Sequence, residues 1–154
     1  MTSGKTQSRM LYGELRIVLP EEWENRTVYT FTAPGTAQEM MPGVPLKESV
    51  TVMKMDISSE LSAEKIVSSL FAVDTSGQSK VKVQEPVRSC VIAGKNGWRR
   101  RITIEAGRAN LEQTQCLVEV GSFAYLFTYV GKGPLTADQL SWFEQFLETL
   151  KFAS

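Results

Sequence analysis

The sequence contains no histidine. That removes Ser–His and Cys–His nucleophile pairs, and with them the commonest metal ligand. Cysteine is scarce, with Cys90 and Cys116 the two present. They allow one disulfide at most, and with no other soft ligand available they do not make a zinc site. Both lie in apolar, strand-like runs, which reads as buried thiols in a reducing cytoplasm. No apolar run approaches the roughly 18 residues of a membrane span. The opening MTSGKTQSRM lacks the apolar core of a signal peptide. Net charge is missing too: 17 basic and 17 acidic residues cancel. No global field therefore draws nucleic acid or anionic lipid to this chain.

What is present is ordinary for a soluble domain. Of 154 residues, 42% are apolar and 22% charged, enough for one hydrophobic core. Residues 1–9 are polar and read as disordered, leaving 10–154 as a single domain. Alternation predicts a strand over Met10–Leu19, with Leu15, Ile17 and Leu19 on one side and Pro20 ending it. A second strand, Thr27–Ala33, points Tyr29 and Phe31 one way and Val28, Thr30 and Thr32 the other. Residues 34–47 hold three prolines and two glycines and read as a loop. Ser49–Asp56 is a third strand. Ser62 is placed to cap a helix from Ala63 to about Thr75, with Ile66, Val67, Leu70 and Phe71 as its apolar stripe.

The second half is more strongly patterned. Val81–Ala93 and Trp98–Ala106 flank Gly94-Lys95-Asn96-Gly97, where Asn-Gly signals a hairpin turn. Glu112–Val120 and Phe123–Val130 form another hairpin across Gly121-Ser122. Thr136 and Gln139 match a capping box, opening a helix with Leu140, Phe143, Leu147 and Leu150 at helical spacing. The expected fold class is α+β: a curved, mainly antiparallel sheet of about seven strands with two helices on one face. If Tyr29, Phe31, Met53 and Met55 face those helices, then Val28, Thr30, Val50 and Val52 share the opposite face. Two readings stay open for that face. It is an apolar interaction surface, or the sheet curls and Val28 and Val52 are ordinary core.

Candidate chemistry is thin. Gly4-Lys5-Thr6 lacks the upstream glycine, the preceding strand and the following helix of a phosphate loop. The carboxylate pairs Glu21/Glu22, Glu60/Glu64 and Glu144/Glu148 are not gathered into a cleft as glycoside chemistry requires. Trp98-Arg99-Arg100-Arg101 is the densest basic run. On a strand, Arg99 and Arg101 share one face while Arg100 joins Trp98 and Ile102 on the other, which favours pairing within the sheet over a nucleic-acid footprint. Neither an enzyme nor a cofactor is expected.

The run Ile-Val-Leu-Pro followed by Glu-Glu-Trp-Glu-Asn-Arg-Thr-Val-Tyr-Thr-Phe resembles the opening of the DcrB-like family: a strand, a Leu-Pro, a short turn bearing Trp, and a strand ending in Phe. Read physically, Trp23 folds back to plug the end of the core. The resemblance continues from about residue 10 to 152 and implies a PsbP-like α/β sandwich. Short members without a signal peptide include the effector-associated (Eag) chaperones of type VI secretion. They are non-enzymatic cytoplasmic homodimers that hold the hydrophobic N-terminal transmembrane helices of a secreted effector until it is loaded onto the secretion spike. Exposed helices of that kind aggregate in water, and a sheet with apolar residues at alternate positions can cover them.

The family's grip positions, on its second and third strands, fall on Val28, Thr30 and Val52, and a glutamine on the sixth strand falls on Gln115. Val50 joins them by alternation. Two departures stand out. Thr30 replaces a branched aliphatic residue, and the loop with Met40 and Met41 is longer than usual. The two thioethers are candidates for an adaptable lip over a client helix or for gap-filling core residues. The alternative within the same family is a DcrB-like binding module of another pathway.

Overall fold

The computed structural model describes residues 4–11, 13–22, 28–33, 38–41, 44–46, 48–70, 80–106 and 109–153. Along the chain run β1 (Thr6–Leu11), β2 (Leu15–Pro20), β3 (Val28–Thr32), β4 (Gln38–Met41), β5 (Val44–Leu46), β6 (Ser49–Asp56) and α1 (Ala63–Leu70). They are followed by β7 (Lys80–Ile92), β8 (Lys95–Ala106), β9 (Ala109–Val120), β10 (Phe123–Lys132) and α2 (Ala137–Glu148). Six strands form one antiparallel sheet in the order β3-β6-β10-β9-β8-β7, while β1-β2 and β4-β5 are separate hairpins. The class is α+β, as expected.

The long hairpins follow from local chemistry. Gly121 takes φ 61° between β9 and β10, as the Gly-Ser turn requires. Between β7 and β8 the turn is Ala93-Gly94, with φ of 51° and 76°, a pairing of two positive angles suited to a twisted hairpin. The Asn96-Gly97 signal therefore misplaced this turn: both residues lie inside β8, opposite Val91 and Cys90. Gly97 serves packing instead, since a Cβ there would stand 2.9 Å from the Leu117 carbonyl. Thr136 caps α2 with the full capping box, its hydroxyl accepting from Gln139 N–H and the Gln139 side chain accepting from Thr136 N–H. Ser62 accepts the Lys65 N–H at 3.3 Å and so caps α1.

The structure differs from the sequence reading in four further places. Met10–Leu19 is two strands, because Gly13 at φ 73° turns the chain back. Its partner strand β1 begins at Thr6, inside the stretch read as disordered. Residues 34–47 contain a β4-β5 hairpin despite their prolines, and β4 lies against β9. The two helices sit on opposite faces. Ile66 and Val67 of α1 pack with Leu117, Ala124 and Leu126, whereas Phe143 and Leu147 of α2 pack with Cys116, Val118, Phe127 and Tyr129. These sets alternate along β9 and β10, so each face has its own helix and its own core. The expected plug, Trp23, and the proposed end of α1 near Thr75 lie outside the described residues.

Candidate functional site

The sheet has two edges, and they are built differently. β7 carries Lys80, Lys82, Glu85, Pro86 and Arg88, with register shifts between Val83 and Glu85 and between Glu85 and Arg88. Charge, proline and bulges of this kind stop an edge from pairing with another strand. β3, at the other edge, reads Val-Tyr-Thr-Phe-Thr and has none of these devices. All five of its residues are exposed. Val28 is 46% exposed, Tyr29 59% and Phe31 62%. Large apolar side chains thus reach solvent from both faces of an edge strand that has no further strand beside it among the described residues.

The register decides which residues share each face. Opposite β3 stand Met53 for Val28, Val52 for Tyr29, Thr51 for Thr30 and Val50 for Phe31. Directly opposed residues point the same way. The expected common face of Val28, Thr30, Val50 and Val52 is therefore split. Val50 and Val52 lie with Tyr29 and Phe31 on the α2 face, and Val28 and Thr30 lie with Met53 on the α1 face. Alternation along each strand was read correctly, but the phase between the two strands is shifted by one residue, which exchanges the faces.

On the α2 face the result is an aromatic shelf. Tyr29 and Phe31 stack with ring centres 6.4 Å apart. Beside them a cleft of about 360 Å³ opens between Phe31, Val50, Tyr129, Trp142 and Phe146. Trp142 is 47% exposed and stacks on Phe146 at 5.6 Å. Val50 is buried in the floor and Val52 packs against the same core. The shelf exists because α2 covers β9 and β10 and stops short of β3. Among the residues singled out from the sequence, Val50 and Val52 support it, while Tyr29, Phe31 and Trp142 were missed. Their signal was present: three large aromatics on two strongly patterned elements.

The α1 face carries the other candidates. One cross-sheet row reads Thr30, Thr51, Thr128, Gln115 and Arg100. Thr30 and Thr51 hydroxyls lie 3.5 Å apart, and Arg100 Nε donates to Gln115 Oε1 at 2.8 Å. Gln115 and Arg100 are buried, and burial pushes the Arg100 guanidinium's pKa down. Val28, Thr30 and Gln115 are thereby brought onto one face, with Gln115 deep and the β3 pair at the rim. Met40 and Met41 lie in β4, the strand against β9.

The basic run behaves as its alternation indicates. Arg99 makes a paired hydrogen bond with Glu144 of α2, and Arg101 Nη1 donates to Glu112 at 3.2 Å. Hydrogen bonding to Glu144 holds the Arg99 pKa above its usual value. Glu144 is thus the ion-pair partner of Arg99 across the contact between α2 and the sheet. Cys90 and Cys116 are free thiols, Cys90 partly buried and Cys116 fully buried. Burial pushes the Cys116 pKa up to about 12. Among the described residues no group of three or more Cys, Asp or Glu is placed to hold a metal, and no helix is long and apolar enough to cross a membrane.

No family model matches the chain, and no curated protein matches it in sequence. Solved structures do resemble it. PA94, a protein of unknown function from Pseudomonas aeruginosa, is 14% identical with a TM-score of 0.66, the match covering 98% of this chain and 99% of that one. Cyanobacterial PsbP from Synechocystis is 12% identical over 94% of this chain and 88% of that chain, with a TM-score of 0.48. The Ran-binding protein Mog1p of Saccharomyces cerevisiae is 14% identical over 92% and 83%, with a TM-score of 0.42. At these identities the Pseudomonas likeness shows a shared fold across the whole domain and says nothing of activity.

Proposed function

We propose that this chain is a non-enzymatic, cytoplasmic chaperone that holds apolar helices of a client protein against the β3 end of its sheet. The reading follows the resemblance to DcrB-like, PsbP-fold effector chaperones: the client is a secreted type VI effector with hydrophobic N-terminal helices, and the chaperone is a homodimer. One observation carries it. β3 presents Val28, Tyr29 and Phe31 to solvent beside an apolar cleft, where a soluble monomer gains nothing from exposing them. An amphipathic or apolar helix laid on the shelf covers Tyr29, Phe31, Trp142 and Phe146, and helix-in-groove binding needs such a row of anchors. The uncharged edge of β3 is the surface we assign to the second copy, because edge pairing leaves both faces free.

A second reading places the client on the α1 face, where the register gathers Val28, Thr30 and Gln115. Co-expression with an effector bearing apolar N-terminal segments separates the two. Phe31→Asp abolishes co-purification if the shelf is the site, and Val28→Asp does so if the opposite face is. Retention of the client by both variants removes the binding site from this edge, and failure of the parent to capture any such client leaves a DcrB-like binding module of another pathway.

A further inference from the structure

Three buried side-chain polar atoms lack a hydrogen-bond partner among the described residues: Arg101 Nε, Thr114 Oγ1 and Tyr129 Oη. The register puts their residues in one row, Arg101 opposite Thr114 and Thr114 opposite Tyr129, all on the α2 face. Roughly nine in ten buried polar groups are paired, with protein or with ordered water, so three neighbouring atoms without a protein partner mark a row open to a water or a ligand. Each can donate, and Arg Nε–H can only donate. The partner of Arg101 Nε–H is therefore an acceptor, and the neighbouring hydroxyls can donate to the same group.

Two of the three, Arg101 and Thr114, line a pocket of about 110 Å³ under α2, whose wall also includes Arg88, Arg99, Glu85 and Glu144. That is several times the roughly 30 Å³ share of one liquid water. The surrounding carboxylates are unequally engaged. Glu144 is taken by Arg99, and Glu112 by Arg101 Nη1 and by the Leu135 N–H. Glu85 is half exposed, sits at a bulge in the edge strand, and approaches Arg101 Nε at 3.7 Å, too far for a hydrogen bond. It is a loosely held anion facing a donor that it does not satisfy.

We propose that this pocket binds a small oxyanion, a carboxylate or a phosphate. Arg101 Nε–H and Thr114 Oγ1–H donate to it, exposed Arg88 closes over it, and the carboxylate of Glu85 gives way. Planar guanidinium donors and a hydroxyl suit either oxyanion. Tyr129 Oη ends the row on the side of the aromatic cleft and is not part of the pocket.

The test is a titration of the folded protein followed by ¹H–¹⁵N spectra of the arginine side chains, with sodium phosphate and sodium acetate in separate arms and sodium chloride at matched ionic strength. The proposal expects a saturable shift at Arg101 Nε–H in at least one oxyanion arm. Saturation with acetate alone assigns carboxylates, and saturation with phosphate alone assigns phosphates. Glu85→Gln, at an exposed site, removes the competitor and tightens binding several-fold, while Thr114→Val weakens it several-fold. A linear drift equal to that in chloride, or an affinity unmoved by Glu85→Gln, overturns the proposal.

Discussion

Glu112 is a buried charged side chain that joins the sheet to the start of α2. It lies on β9, 3% exposed, and one oxygen accepts the Leu135 N–H at 2.6 Å while the other accepts from Arg101 Nη1 at 3.2 Å. Leu135 immediately precedes the α2 cap, so this carboxylate ties the helix to the sheet. Glu112→Ala leaves a buried N–H unpaired, at about 1–3 kcal/mol, and breaks a charged hydrogen bond worth about 1.5–3 kcal/mol. The Arg101 side chain is 23% exposed and keeps Glu85 nearby, so solvent and that second carboxylate offset part of its loss. We expect a net destabilisation of about 3–4 kcal/mol, against about 5–15 kcal/mol for a whole domain. Glu112→Gln keeps an oxygen for Leu135 and loses the charge, for about 1–2 kcal/mol. Urea unfolding measures both as a lower midpoint with an unchanged slope. An alanine variant within about 1 kcal/mol of the parent, the cost of an average point substitution, refutes the role assigned to Glu112.

Two further outcomes follow from the core and the cap. Cys116 is held protonated in the fold, with its pKa raised from 9.0 to about 12 by burial. Its stabilising contribution is fully present below pH 9 and is lost as pH rises from 9 toward 12, by about 1.4 kcal/mol per unit at most. Stability measured across that window falls less steeply in Cys116→Ala, and equal slopes in parent and variant contradict the burial argument. Thr136→Ala removes one half of the capping box and costs about 1 kcal/mol, read as a lower urea midpoint, whereas Thr136→Ser costs less than half of that.

The parts of the fold that were legible in the sequence are those whose signal is local. The Gly121-Ser122 turn, the alternation of β9 and β10 and the Thr136/Gln139 box each need only neighbouring residues, and each formed as expected. Proline and glycine counts misled at 34–47, where β4 and β5 pair as a short hairpin although Pro45 is the middle residue of β5. Gly13 misled in the opposite sense, because one glycine inside an apolar run is enough to reverse the chain. The candidate site failed at a different level. Sequence gives the two faces of β3 and the two faces of β6, but pairing decides which meet, and one residue of slip sends Val50 and Val52 to the side of Tyr29 and Phe31. The row of Arg101, Thr114 and Tyr129 was invisible for the same reason, since it needs two registers at once.

The most direct test of the central claim is client capture by the parent and by Phe31→Asp, a change at a side chain 62% exposed that leaves the core intact. Covering one such aromatic contributes about 1.5–3 kcal/mol, or roughly 10- to 150-fold in Kd. With a purified peptide matching an effector's apolar N-terminal helix, held in dilute detergent, the account predicts saturable binding to the parent and at least tenfold weaker binding to Phe31→Asp, with far-ultraviolet circular dichroism unchanged. Equal affinity in the two proteins contradicts it.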